Sequence, residues 1–182
     1  MNPLTQFKKT RILPLLIALA LVAIIMFTPR PALATPSCGF TSTNLLSPVP
    51  AGYFPDGSLD LMCRSNLPDW LLFTKVRGDS DLYITQNTIQ PGGQSGWHTH
   101  PGPSMATVTL GTVTVYHDDC TFETYTVSQT FTDLGCGDVH NVRNETGLQA
   151  KTVAVQIVPH GAVRREDKPD PGCPLVPPCP PF

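Results

Sequence analysis

The chain has 182 residues, with 12 Lys and Arg against 14 Asp and Glu, so its formal net charge is −2. A balance this close to neutrality offers no basic surface for a polyanion and argues against nucleic-acid binding.

The N-terminal segment has the three parts of an export signal. Lys8, Lys9 and Arg11 precede an apolar run from Ile12 to Phe27, and Ala32-Leu33-Ala34 supplies small residues for cleavage. We therefore predict a signal peptide over residues 1–34, with secretion or periplasmic delivery of the remainder. An uncleaved membrane anchor is the alternative, which the short apolar run disfavours. After cleavage no stable membrane anchor would remain.

Cleavage would leave about 148 residues, enough for one hydrophobic core. The leader removes four basic and no acidic residues, so the mature chain has 8 Lys and Arg against 14 Asp and Glu and a net charge of −6. Residues 35–69 are rich in Pro, Ser and Gly without clear periodicity, and we predict an N-terminal arm there.

Residues 70–166 are predicted to form an all-β domain. Short β-prone segments alternate with Gly, Asp and Pro turn signals, including Pro91-Gly92-Gly93, and no segment shows a helical stripe. Such a series favours an antiparallel sandwich or barrel. The predicted strands are Leu71–Val76, Leu82–Ile89, Trp97–His100, Met105–Leu110, Val113–His117, Glu123–Val127, Thr130–Leu134, Val139–Val142 and Thr152–Val158.

The C-terminal segment, residues 167–182, is predicted to be an extended tail. Seven of the fourteen residues from Pro169 to Phe182 are proline, which excludes this stretch from a sheet interior.

All six cysteines follow the predicted cleavage site, and an even number in an exported chain favours disulfides. Six cysteines allow 15 connectivities. Pairing between sequence neighbours is the simplest expectation: Cys38 with Cys63, Cys120 with Cys136, and Cys173 with Cys179. A cysteine metal site is the less favoured alternative because no Cys-x-x-Cys pair is present.

Three histidines have the spacing of a metal site. His98 and His100 are two residues apart, so their side chains share one face of a strand, and His140 follows about forty residues later. Three imidazoles would hold one divalent first-row transition metal and leave positions for water or substrate. Fe, Mn, Cu, Ni and Zn all remain candidates. His117, beside two aspartates, is expected to be solvated, and His160 to lack a partner at ligand spacing.

Two motifs around these histidines resemble those of the cupin superfamily. Gly96-Trp97-His98-Thr99-His100 running on to Gly111 resembles the first cupin motif, and Gly137-Asp138-Val139-His140 with Asn144 resembles the second. The resemblance, to a small secreted single-domain cupin of the cupin-2 type, implies an antiparallel jelly-roll barrel with a metal site in its mouth.

The chain departs from the family pattern at two positions. Seven residues before Gly111, where many cupins have a metal-binding glutamate, stands Ser104, and the second motif begins with Gly135 where proline is usual. The first departure resembles cupins that hold metal by histidines alone, including some thiol and diketone dioxygenases. Ser104 and Asp138 are candidates for positions next to the ligands.

Two functions remain open at this point. One is a dioxygenase whose small substrate supplies the missing negative ligand. The other is a non-catalytic barrel that binds a metal or a small ligand. The expected partner in both cases is a small molecule, and a homodimer is compatible with either.

Overall fold

The computed structural model describes residues 33–173, which contain thirteen strands and no helix. Ten strands longer than three residues carry the architecture, and three short ones (β2, β6 and β13) complete the pairing. The strands are β1 (Cys38–Asn44), β2 (Gly52–Phe54), β3 (Asp60–Arg64), β4 (Leu71–Lys75), β5 (Ser80–Gln94), β6 (His98–Thr99), β7 (Ser104–Leu110), β8 (Thr112–His117), β9 (Phe122–Thr126), β10 (Thr130–Asp133), β11 (His140–Arg143), β12 (Ala150–Pro159) and β13 (Glu166–Asp167).

Eleven strands form one antiparallel sheet that curls into a nearly closed barrel, as expected for a jelly-roll. Its main path runs β10-β7-β12-β5-β11-β6-β13, while β8 joins β11 to β9. The long strands β5 and β12 pair over ten residues, from Ser80↔Pro159 to Ile89↔Ala150. Along β12 buried residues alternate with partly exposed ones, so one face is turned to the interior.

The interior is filled mainly by small and β-branched side chains, which suit the two faces of a curled sheet. The main cluster contains Ile89, Ala106, Val108, Val113, Val115, Phe131, Val142, Ala150 and Ala154, and a second cluster contains Trp97, Tyr116 and Cys173. The second cluster lies beside the first histidine motif in sequence and gives it a rigid support.

The predicted all-β barrel is confirmed, and each predicted strand has an observed counterpart. One predicted turn is wrong: Pro91-Gly92-Gly93 lies inside β5. Gly92 adopts a positive φ of 75°, and a Cβ on Gly93 would lie 2.8 Å from the carbonyl oxygen of Gly39. The glycines therefore allow β1 to approach β5 closely instead of ending the strand.

The segment predicted as an arm contributes strands of its own. β1 pairs with β5 from Phe40↔Ile89 to Asn44↔Thr85, and β2 pairs with the beginning of β5. β3 and β4 form a separate two-stranded sheet. Sequence periodicity missed β1 because all but its first three residues are exposed.

The predicted neighbour pairing of the cysteines is wrong. Cys120 is bonded to Cys173, which is 53 residues away, while Cys63 and Cys136 are free thiols on the surface. Cys38 is disulfide-bonded, but not to Cys63. The chain beyond β13 returns to the loop after β8, and this brings Cys173 to Cys120. Cys179 lies outside the described residues.

Residues 1–32 of the predicted leader and residues 174–182 of the predicted tail also lie outside the described part. Within residues 33–173 no helix is long and apolar enough to span a membrane. Ala34 forms an isolated bridge with Pro169, so the two ends of the described chain meet.

Candidate metal centre

Three buried histidines converge in the mouth of the barrel. His98 in β6 is the cross-strand partner of His140 in β11, and His100 follows β6 directly. The ring centroids of His98 and His140 are 4.2 Å apart, and those of His98 and His100 are 4.9 Å apart. One ring nitrogen from each lies within 4.8 Å of the others, which is the grouping that the sequence predicts.

Glycines on both motifs allow the backbone to form this site. Gly96 has a φ of +73°, and a Cβ there would lie 2.4 Å from the carbonyl oxygen of Thr35. Gly135 has a φ of +63°, and its Cβ would lie 2.2 Å from the carbonyl oxygen of Gly102. A proline at position 135 could not adopt this φ, which gives a physical reason for the departure from the family pattern.

Hydrogen bonds to backbone carbonyls fix two of the imidazoles. Nδ1 of His98 donates to Gly96 O at 2.8 Å, and Nδ1 of His100 donates to Arg164 O at 2.7 Å. With the proton on Nδ1, the lone pair of each Nε2 is free to bind a metal.

Burial keeps the histidines neutral. It lowers the pKa of His100 to about 4 and the pKa of His140 to about 3, and it lowers the pKa of His98 as well. Neutral imidazole is the form that binds metal, so these side chains need not lose a proton at neutral pH.

A buried carboxylate that the sequence analysis missed borders the cluster. Asp133, the last residue of β10, has Oδ2 3.5 Å from Nε2 of His100 and Oδ1 3.6 Å from Nδ1 of His140. Burial raises its pKa to about 6. From the sequence, only Ser104 and Asp138 are predicted for positions next to the ligands, and Asp133 is not considered. Strand alternation could have identified it. Asp133 is two residues from the apolar Phe131, so both side chains lie on the inward face of β10.

Ser104 and Asp138 occupy different environments. Ser104 is buried at the start of β7, lines the histidine cavity, and is the direct cross-strand partner of Asp133. Many cupins have their glutamate at the position of Ser104 in β7. In this chain the carboxylate of Asp133 reaches the same part of the site from the neighbouring strand, β10. Asp138 is half-buried in the turn before β11 and lines a second, smaller cavity, which His117 and Glu123 share with Asp133 and His140.

The cavity that the three histidines line has a water-accessible volume of about 60 Å³, room for only a few waters or a small ligand. Arg164 and Arg165 line it together with the histidines. Arg165 pairs with Asp167, whereas Arg164 donates to the neutral Gln156 at 2.8 Å and has no carboxylate partner in the described part of the chain. The cavity wall therefore carries a cationic group without its own counter-ion.

The donor set is suitable for a first-row transition metal. Three neutral imidazoles lie together, and two buried polar atoms beside them, Asp133 Oδ2 and His140 Nδ1, have no hydrogen-bond partner. A buried polar atom without a partner is costly, and a bound ion with its ligands would relieve this cost.

The remaining two histidines lie elsewhere. His117 is the last residue of β8, as predicted, but it is half-buried and not fully solvated, with His140 as its cross-strand partner. His160 belongs to no group of three possible metal ligands among the described residues, but its Nδ1 lies 2.8 Å from Asp81 Oδ1, so the expectation that it lacks a partner is wrong.

The chain was compared with protein families, curated proteins and solved structures. No protein-family model matches the sequence, and a search of curated proteins finds no match. Solved structures that it matches include a cupin domain from Bordetella pertussis (23% identity, 42% of this chain and 80% of that one, TM-score 0.38). A Cupin_2 domain of an XRE family transcriptional regulator from Enterobacter cloacae matches with 14% identity, 66% and 97% coverage and a TM-score of 0.42. A cupin-like protein from Thermotoga maritima matches with 15% identity, 51% and 78% coverage and a TM-score of 0.40.

The chain resembles the cupin superfamily in its two histidine motifs and its antiparallel barrel. The residue assignments above come from the motifs and the geometry of this chain.

Proposed function

We propose that this protein is an exported metal-binding barrel that holds one divalent first-row metal through His98, His100 and His140 and binds a small ligand beside it. The observation that carries the proposal is the convergence of three buried, neutral imidazoles, two of them with Nε2 left free by backbone hydrogen bonds. With three protein nitrogens bound, the metal would keep further coordination positions for water or a ligand, as metals in reactive sites do.

Each neighbouring group has a distinct part in this proposal. Asp133 lies close enough to Nδ1 of His140 to orient that ring, and its position beside Nε2 of His100 lets it accept a proton or hydrogen bond from a ligand. Arg164 offers a cationic group to a negative end of the ligand. The small volume of the cavity, as its described residues enclose it, leaves room for only a few non-hydrogen atoms of the ligand.

Export is part of the proposal and is supported by the disulfide chemistry. Cys120–Cys173 is a long-range disulfide, and such bonds persist mainly in oxidising compartments. Intact mass of the exported protein should place the mature N-terminus at Thr35. Retention of residues 1–34 would instead support an anchored form.

The catalytic form of this proposal is a small-molecule dioxygenase. A bound metal would supply Lewis acidity and hold dioxygen and a bidentate substrate together. The buried carboxylate of Asp133 favours catalysis over metal binding alone. It places a hydrogen-bond acceptor beside the coordination positions that the histidines leave open. The competing function is a non-catalytic barrel that binds a metal or a small ligand.

Metal analysis of the purified mature protein tests the metal site before any substrate is known. We expect about one metal ion per chain, and a large loss in each of the His98→Ala, His100→Ala and His140→Ala variants. His160→Ala is the matched control, because it removes an imidazole that lies outside the cluster, and it should retain the metal. Full retention in the triple variant of the cluster would overturn the proposal.

Oxygen consumption then separates the catalytic from the non-catalytic function. The metal-loaded protein would be tested with small diketones, thiols and catechols, since both oxygen atoms enter the product and no external reductant is needed. Uptake that disappears in His140→Ala would support a dioxygenase. Stoichiometric metal without uptake on any of these classes would favour a binding module.

A further inference from the structure

The hairpin formed by β3 and β4 exposes an unusual concentration of apolar side chains. Of the nineteen exposed large hydrophobic residues in the described part of the chain, seven lie between positions 61 and 73, and their exposures range from 40% to 71%. Clustered exposure of this kind marks an interaction surface. These residues are Leu61, Met62, Leu67, Trp70, Leu71, Leu72 and Phe73.

The same hairpin has unpaired strand edges. Within residues 33–173, β3 and β4 pair only with each other, with Met62 opposite Phe73 and Cys63 opposite Leu72. An isolated two-stranded hairpin is only marginally stable in water, and an apolar edge strand is a template for a further strand. The outer edge of β3 is available for this purpose.

We propose that β3 pairs antiparallel with β3 of a second copy of this chain, about a two-fold axis at Met62. In this register Met62 faces its own equivalent, Asp60 faces Arg64 of the second copy, and Leu61 faces Cys63 of the second copy. The two hairpins would form one four-stranded sheet, an isologous interface of the kind that closes as a dimer.

Charge complementarity selects β3 and this register. Antiparallel self-pairing about Met62 brings opposite charges face to face at both ends of the strand, and such cross-strand pairs are stabilising. Asp60 Oδ2 already pairs with Arg77 at 2.9 Å, which leaves the other carboxylate oxygen for Arg64. The same operation on β4 about Phe73 would place Lys75 opposite Leu71 and gain no ion pair.

The proposed sheet would also join the apolar residues of the two hairpins. Cross-strand partners share a face, so Met62, Phe73 and Leu71 lie on one side, and Leu61, Cys63 and Leu72 lie on the other. Doubling the sheet makes each set a continuous apolar stripe.

Sedimentation velocity of the mature protein, with its disulfides intact and Cys136 replaced by serine, tests the dimer. We expect a concentration-dependent dimer in the wild type, and Arg64→Asp should weaken it by at least about tenfold because it puts two like-charge pairs into the interface. The double variant Asp60→Arg with Arg64→Asp should restore it. Lys151→Asp is the control, since it reverses a charge on β12, outside the hairpin, whereas Lys75 lies directly opposite Asp60 and would disturb it.

A monomeric wild type, or an Arg64→Asp variant that dimerises as well as the wild type, would overturn the proposal. Monomers that bind phosphatidylcholine and phosphatidylglycerol vesicles through the hairpin would also overturn it. None of the altered residues lines the histidine cavity, so metal content serves as a folding control and does not depend on the result.

Crosslinking tests the register independently. Residues directly opposite each other have Cα atoms about 4.5 to 5.5 Å apart, within disulfide range. Met62→Cys combined with Cys63→Ser should therefore form a disulfide-linked dimer on mild oxidation. Cys136 is replaced by serine throughout, because it is a second exposed free thiol. The two native Cys63 residues would be offset along the strands by about 7 Å and should not crosslink, so efficient crosslinking of Cys136→Ser alone would contradict this register.

Discussion

In the barrel mouth, polar groups are buried: His98, Asp133 and the completely enclosed Asn141 all lie inside. In the β3–β4 hairpin the reverse holds, because Met62 and Phe73 are 71% and 62% exposed. Burying polar groups is unfavourable unless partners hold them, and exposing large apolar groups is unfavourable unless something covers them. The two regions therefore point to different roles, ligand chemistry in the barrel and association at the hairpin.

The largest expected contrast between the two regions is in aromatic packing. Trp97 is 0% exposed, and Trp97→Ala should lower the free energy of unfolding by about 3 to 5 kcal/mol. Phe73→Ala should change it by no more than about 0.5 kcal/mol in the monomer. Urea unfolding of metal-free protein at low concentration, followed by far-ultraviolet circular dichroism, makes the comparison. Equal losses would mean that the hairpin belongs to the folded core.

The second contrast concerns the cysteines. Replacing both Cys120 and Cys173 with serine opens a long loop and should lower the free energy of unfolding by about 2 to 4 kcal/mol. Cys63→Ser and Cys136→Ser are the controls and should have little effect, because both thiols are exposed and unpaired. Alkylation of the denatured, unreduced protein followed by peptide mapping should label Cys63 and Cys136. Label on Cys120 or Cys173 instead would contradict the connectivity.

The third contrast lies within the mouth, between two carboxylates. Asp133→Asn should lower metal affinity by about 10- to 100-fold, because Asp133 borders two of the proposed ligands. Asp138→Asn removes a carboxylate that does not line the histidine cavity, and Ser104→Ala removes a hydroxyl that does. Both should retain metal nearly as the wild type does. Competition with a chelator gives the metal affinities of the three variants. A loss of affinity confined to Asp138→Asn would mean that Asp138, and not Asp133, supports the metal ligands.

The smallest expected effect is the pH dependence of the pair formed by His160 and Asp81. The hydrogen bond to Asp81 raises the pKa of His160, so its stabilisation is complete below the unfolded pKa of about 6.5 and is lost as pH rises through the folded value. The pKa of Asp81 is lowered by the same bond, so its stabilisation is present above about pH 4 and is lost in acid.

The melting temperature of the wild type should therefore be higher than that of His160→Gln. The difference should be largest between about pH 4 and 6.5 and should shrink towards pH 8. His117→Gln is the matched control, because it removes a different histidine and leaves the pair of His160 and Asp81 intact. Its difference in melting temperature from the wild type should not follow the pH dependence of that pair. A difference that grows with pH would have the wrong sign for this pair.

Much of the barrel and of the histidine cluster could be predicted from local sequence. Strands such as β7 and β12 alternate buried and exposed residues, so their period of two is visible without the structure. The spacing of His98 and His100 likewise reports a shared face. His140 was assigned through its motif, and its pairing with His98 confirms the juxtaposition.

Features that depend on distant segments were missed. Asp133 stands alone in sequence and becomes part of the site only because β10 pairs with β7, while Arg164 arrives from the chain after β12. The disulfide between Cys120 and Cys173 depends on the path of the last described residues, which local spacing does not encode. The strands β1 and β3 were missed because their residues are largely exposed and lack alternation.

X-ray absorption spectroscopy of the metal-loaded mature protein tests the central claim most directly, because it identifies and counts the atoms bound to the metal. The account predicts about three imidazole nitrogens at about 2.0 to 2.1 Å for zinc, with only oxygen ligands in the remaining positions. The number should fall to two in His140→Ala. A sulfur ligand, or an unchanged imidazole count in that variant, would contradict the three-histidine site.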